Sequence, residues 1–163
     1  VEGQTFTLTT RPVAGDEREV STTYLALPRD CRRGDTVLLD DGNIALLVED
    51  VNDTDVICTV TDGGDLKPNK GINLPGVQVS APALSEKDRH DVDWGFRQNL
   101  DFVALSFVRQ AAEVRELKQM ARERNASTRI IAKLEKPEAI ENLEEIIQAA
   151  DGVMVARGDL GVE

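Results

Sequence analysis

The chain has 163 residues, 40% of them hydrophobic and 30% charged. That is enough apolar material for a folded core, but too short for a closed eight-stranded α/β barrel, which needs about 250 residues. Nineteen Lys and Arg stand against 30 Asp and Glu, a net charge of −11, the wrong sign for nucleic acid or an anionic membrane surface. No apolar run nears the ~18 residues of a membrane span, and the chain does not open on a charged-then-apolar secretion signal.

The first half reads as all β. Gln4–Leu8 alternates polar and apolar residues, as a half-buried strand does. β-rich runs follow at Thr36–Leu39, Ile44–Val51 and Val56–Val60. Turn signals separate them, among them Arg33-Gly34-Asp35, Asp41-Gly42-Asn43 and Asp62-Gly63-Gly64. Short strands at this spacing predict a small antiparallel barrel or sandwich. Cys31 and Cys58 are too few and too far apart for a disulfide framework. They read as free thiols of a reducing cytoplasm, with Cys58 inside an apolar strand. Residues 1–82 carry 7 basic and 14 acidic side chains, most of the net charge.

Near Pro82 the hydrophobic period changes from two to 3.6. Ser85 is placed as an N-cap with Asp88 in the capping-box position, and Val92, Phe96 and Leu100 give the helix its apolar face. Phe102–Phe107 reads as a strand buried on both faces, as in parallel sheets. A helix near Ala111–Arg124 carries Val114, Leu117 and Ala121 on one stripe. Arg129–Glu135 is a second buried strand. Pro137 suits the first position of a helix that buries Ile140, Leu143, Ile147 and Ala150. Gly152–Ala156 is a third buried strand. The order α-β-α-β-α-β predicts a parallel sheet with helical crossovers. The fold class is therefore a multi-domain chain, all-β then α/β. His90 reads as solvated and Trp94 as packing.

Chemistry in parallel α/β sheets collects at the C-terminal strand ends. Three are visible: Ser106-Phe107-Val108-Arg109, Lys133-Leu134-Glu135-Lys136 and Ala156-Arg157-Gly158-Asp159. Side chains alternate along a strand, so Lys133 and Glu135 point to one face. Lysine in an apolar strand is costly unless paired, and Glu135 and Asp159 are the candidate partners. Carboxylates suit Mg²⁺, which completes its shell with waters and substrate phosphates. The lysine suits an anion whose charge grows during reaction, and glycine-exposed amides suit a carboxylate or phosphate. The residues point to metal-assisted chemistry on a small anion. No P-loop, GxGxxG, HExxH, GxSxG or CxxC is present.

Five stretches carry a family resemblance: Gly71-Ile72-Asn73-Leu74-Pro75-Gly76, Pro82–Asp88, Ala104–Arg109, Ile131–Pro137 and Met154–Glu163. In this order they resemble the pyruvate kinases over nearly the whole chain. The resemblance implies a β-barrel lid, the B domain, over residues 1–82. It implies a partial (β/α)8 TIM barrel over 83–163, from third helix to sixth strand. It implies phosphoryl transfer from phosphoenolpyruvate to ADP in a cytoplasmic glycolytic enzyme, giving pyruvate and ATP. The cofactors would be Mg²⁺ or Mn²⁺, and K⁺. Glu135 and Asp159 would be metal ligands. Lys133 would stabilise the transferring phosphoryl group and the enolate. Gly158 and Asp159 would receive the substrate carboxylate by their backbone, supported by Ala156 and Arg157. Ser106 and Phe107 would lie near the phosphate, and Asp41 and Lys70 on the lid would close over nucleotide and metal.

No residue of this chain matches the family's K⁺ ligands, its phosphate-binding arginine or its C-terminal domain. The resemblance therefore implies a piece of a homotetrameric enzyme, inert by itself; its open sheet edges predict self-association or partial disorder in residues 83–163. The alternatives were another phosphoenolpyruvate/pyruvate barrel enzyme, disfavoured by the β-rich segment before residue 83, and a non-catalytic binding module in residues 1–82.

Overall fold

A computed structural model describes residues 1–161, which divide into two compact units at the Ala81–Pro82 junction. The first unit is one curled sheet. Its elements are β1 (Thr5–Thr9), β2 (Glu19–Ser21), the short helix α1 (Leu27–Asp30), β3 (Thr36–Leu39), β4 (Ile44–Val51), β5 (Asp55–Asp62) and β6 (Ile72–Asn73). The strand order is β2-β1-β5-β4-β3-β6.

The expected antiparallel barrel needs correction here. β1 and β2 pair in parallel, and β2 and β6 remain the two edges among the described residues. The sheet is mixed and open. Two register shifts between β4 and β5 add the curl. β2, α1 and β6 had no clear periodicity because each is four residues or shorter.

The turn from β3 to β4 shows the local logic. Asp40, Asp41 and Gly42 have φ of 53°, 57° and 84°. Three successive left-handed residues are tolerated because Asp and Gly accept that region better than branched side chains. The concave side buries Leu8, Val37, Leu46, Val48 and Val56 with Leu27 of α1. Cys31 and Cys58 lie in this core as free thiols. Burial pushes the Cys31 thiol up to about 11 and the Cys58 thiol up to about 12, with nearby acidic groups adding to both.

The second unit holds α2 (Glu86–Arg97), β7 (Phe102–Leu105), α3 (Ala111–Glu123), β8 (Arg129–Leu134), α4 (Pro137–Glu141), α5 (Leu143–Ala149), β9 (Gly152–Val155) and α6 (Arg157–Leu160). β7, β8 and β9 form a parallel sheet in chain order. Ser85 caps α2 as the sequence predicts: its hydroxyl takes the Asp88 N–H at 3.1 Å, and the Asp88 carboxylate takes the Ser85 N–H at 2.9 Å. Val114, Leu117 and Ala121 of α3 are buried on one stripe. They pack with Leu105, Ile130, Ala132, Leu134 and Ile146.

Several burial expectations are overturned. The strands are covered on one face only. Phe102 and Ala104 are exposed, and β9 is largely exposed, with Val155 59% accessible. Apolar runs predict two-sided burial, but the described helices cover one side. The helix from Pro137 also breaks at Asn142. The break shifts the buried face to Ala139, Ile146 and Ala149, and leaves Ile140 and Ile147 about half exposed. Leu100 lies beyond α2 and Trp94 is exposed, so neither packs as expected. His90 is exposed, as read. No helix among the described residues is long and apolar enough to cross a membrane.

Candidate active site

Paired residues of neighbouring strands share a face. Leu105 stands beside Ala132, and Leu134 beside Val155, on the side that helices cover over β7 and β8 but leave open at β9. The other side carries Phe102, Ala104, Ile131, Lys133 and Met154 by alternation. Ser106 and Glu135 continue that parity beyond the ends of β7 and β8. The chemistry-bearing residues thus fall on the sheet face without helices, at the C-terminal edge.

There the contacts close around Lys133. Its Nζ donates to Ser106 Oγ at 2.9 Å and lies 2.5 Å from Glu135 Oε1. Lys133 is half-buried, whereas Glu135 is fully buried. The second carboxylate oxygen, Oε2, accepts the Phe107 backbone N–H at 2.7 Å. Oε1 has the ion-pair contact to Lys133, but no donor aligned well enough for a hydrogen bond. The Lys133 ammonium at 2.5 Å is what compensates this buried carboxylate oxygen.

Phe107 sits with φ of 55°, left-handed and strained for an aromatic residue. The residue is 45% accessible, and Lys136 Nζ stands 5.8 Å from its ring centroid. That is a cation–π arrangement. The expected partnership of Lys133 with Glu135 is therefore observed, and Ser106 and Phe107 join it.

The third strand end is one strand over. Ala156 donates its N–H to the Leu134 carbonyl at 3.3 Å, which ties the β9 exit to the β8 exit. Arg157, Gly158 and Asp159 then form most of α6, a single turn. Gly158 is exposed, and a Cβ there would meet open space, so its backbone is accessible. Asp159 is half-buried.

On the first unit, Lys70 pairs with Asp40 rather than Asp41, at 2.6 Å. The hydrogen bond with Lys70 holds the Asp40 carboxyl below its usual range and raises Lys70 in turn. Asp41, the lid aspartate expected from the sequence, is the next residue in the same turn. Sequence reasoning missed Glu113, a buried carboxylate bonded to Arg109. Its i,i+4 spacing from Arg109 is no helical signal, because Arg109 precedes α3.

The donor set fits a divalent cation in part. No group of three or more His, Cys, Asp or Glu side chains that could hold a metal occurs among the described residues. Mg²⁺, however, takes only one or two carboxylates and fills its shell with waters and phosphate oxygens. Glu135 has the right chemistry, and Asp159, in α6 just beyond the end of β9, is the second carboxylate at these strand ends.

The family model for the pyruvate kinase barrel domain matches residues 1–163. A pyruvate kinase of Mycobacterium tuberculosis is 52% identical over 162 residues, covering 99% of this chain and 34% of its own length. A pyruvate kinase of Geobacillus stearothermophilus is 46% identical, covering 99% of this chain and 28% of its own length. A crystal structure of a pyruvate kinase from Cryptosporidium parvum superposes with a TM-score of 0.89 at 38% identity, over 99% of this chain and 34% of that one. The chain spans about a third of the length of the curated relatives it matches. With its motifs matched from end to end, the chain belongs to the pyruvate kinase family.

Proposed function

We propose that these residues supply part of a phosphoryl-transfer site that moves the phosphoryl group of phosphoenolpyruvate to ADP, giving pyruvate and ATP. The observation that carries this reading is the Lys133–Glu135 pair, buried at the exit of β8 and cross-bonded to the exit of β7. Residues 1–82 would act as the B-domain lid, and residues 83–163 as part of a TIM barrel.

Phosphoryl transfer requires positioning and charge stabilisation more than covalent chemistry. Lys133 supplies a fixed positive charge, held by Ser106 and Glu135, toward the transferring phosphoryl group and the enolate oxygen that develops. Ser106 and Phe107 orient the phosphate. The Gly158 and Asp159 backbone receives the substrate carboxylate, flanked by Ala156 and Arg157. Mg²⁺ or Mn²⁺, when bound through Glu135 and Asp159, would offset the charge on the phosphate oxygens. No residue of this chain is assigned to K⁺, and no step is derived through it.

Asp41 and Lys70 would serve the nucleotide when the lid closes, and closure would exclude water. The Lys70–Asp40 pair keeps that lysine charged and oriented. The setting would be cytoplasmic, and the active assembly a homotetramer.

The 163 residues alone should be inert, since they span about a third of the length of the curated relatives they match. They should also self-associate through the edges of the parallel sheet. A coupled assay of the protein encoded by the native gene should show pyruvate formation that needs phosphoenolpyruvate, ADP and Mg²⁺ together. Absence of such turnover would refute the proposal.

A further inference from the structure

The segment from Ser106 to Gln110 joins β7 to α3 and provides two contacts of the lysine–glutamate centre. Its far end is gripped by Glu113, 6% exposed in the first turn of α3. Glu113 Oε2 accepts the Arg109 N–H at 2.7 Å and the Gln110 N–H at 3.3 Å. Oε1 accepts Arg109 Nε at 3.0 Å and lies 2.9 Å from Nη2. The Arg109 carbonyl accepts Asn142 Nδ2 at 3.0 Å, from the break between α4 and α5. Val108, between the two grips, is fully buried.

The third helical residue of a capping box accepts the N–H of the N-cap residue and nothing more. Glu113 does that for Gln110, and it also takes the Arg109 N–H and binds the Arg109 guanidinium through its other oxygen. Two residues before Arg109, Phe107 is held left-handed. Such a conformation persists where its surroundings over-determine it. Here Glu135 holds the Phe107 N–H, and Glu113 holds the N–H groups two and three residues on.

We infer that Glu113 is a positioning residue for the Lys133–Glu135 centre. It fixes the Ser106–Gln110 segment, so that the Phe107 N–H stays on Glu135 Oε2 and Ser106 Oγ stays on Lys133. With Oε2 held by the Phe107 N–H, Oε1 stays at the Lys133 ammonium, where a divalent cation would have to share it. This rests on the proposed reading of Glu135 as a divalent-cation ligand.

The test is Glu113→Gln in the protein encoded by the native gene. Glutamine keeps an acceptor for the backbone N–H groups but turns its own N–H donors toward those of Arg109. The guanidinium is released while the helix cap remains. Phe107 amide exchange should then quicken at least about tenfold relative to core amides such as Ile130. The Mn²⁺ dissociation constant should rise about tenfold, the lower end for residues that orient a metal ligand. Glu116→Gln makes the same charge change on the same helix, in a surface pair with Arg89, and should alter neither readout.

A capping role alone predicts a lower melting temperature with Phe107 exchange and Mn²⁺ affinity unchanged, and that result overturns the inference. Should Glu113→Gln melt below the assay temperature, Arg109→Ala carries the same test, because it retains both backbone bonds. Faster Phe107 exchange is expected, and unchanged exchange overturns the inference. Wild-type protein that binds no Mn²⁺ would refute the cation reading of Glu135, while Phe107 exchange would still decide the anchor.

Discussion

Replacing Lys133 with methionine removes the charge that faces Glu135 Oε1 while keeping most of the side-chain volume. Glu135 is fully buried, and its other oxygen is already committed to Phe107. The variant would leave an uncompensated carboxylate inside the unit. Breaking a buried pair in this way costs about 3–5 kcal/mol. The Lys133 side chain is 24% exposed, so water offsets part of that, and about 2 kcal/mol is the better figure for this site. For a unit of this size, each kcal/mol moves the melting temperature by roughly 4–8 °C. Lys133→Met should therefore lower the melting of residues 82–161 by roughly 8–16 °C, read by calorimetry on the 163-residue chain. Adding Glu135→Gln removes the stranded charge, so the double variant should recover at least half of the loss. A single variant within about 2 °C of wild type, or a double variant no better than the single, would refute this account of the pair.

Three further outcomes follow from the same bonds. Ser85→Ala should cost about 1 kcal/mol by removing the cap of α2; an unchanged melt of the second unit would contradict the capping box. Asp30, 5% exposed at its side chain, takes the Tyr24 hydroxyl and the Ser80 N–H at 2.7 Å. Burial pushes its carboxyl up, but these donors prevail and hold it below the ordinary value. Its stabilisation is present above the unfolded pKa and lost as pH falls through the folded one. Asp30→Asn should lower stability by about 1–2 kcal/mol near neutrality and shrink that acid-side loss, measured by urea unfolding from pH 3 to 7. The buried thiols act at the other limb. With Cys31 near 11 and Cys58 near 12, against 9.0 when free, stability should fall as pH rises above 9, and neither thiol should label at pH 8 before unfolding. Rapid labelling of the folded chain would contradict their burial.

Periodicity was a good guide wherever an element was long and one-sided. The α3 stripe, the Ser85 cap and the strands Thr36–Leu39 and Ile44–Val51 were all legible, because each is fixed by local pattern. What failed depended on neighbours. An apolar strand looks alike whether one face or two are covered, so β9 was misread. Asn142 is a permissible helix residue, and nothing local marks the break that exchanges Ile140 and Ile147 for Ala139 and Ile146. β2 is three residues long and pairs in parallel with β1, and no alternation of three residues signals a parallel partner. At the site, Lys133 and Glu135 were legible because two residues on one strand must share a face. Ser106 joined them through register between strands. The Glu113 grip was not legible, because an acidic residue in the first helical turn is common on exposed helices, and burial is what gives it weight.

The most direct test of the central claim compares kcat of the native gene's product with that of its Lys133→Met variant in a phosphoenolpyruvate- and ADP-dependent assay. A fixed charge aimed at the transferring group should be worth about 10²–10³ in rate, so the variant should lose at least about a hundredfold in kcat while still folding. A folded variant within threefold of wild type would contradict the claim that the Lys133–Glu135 centre carries out the transfer.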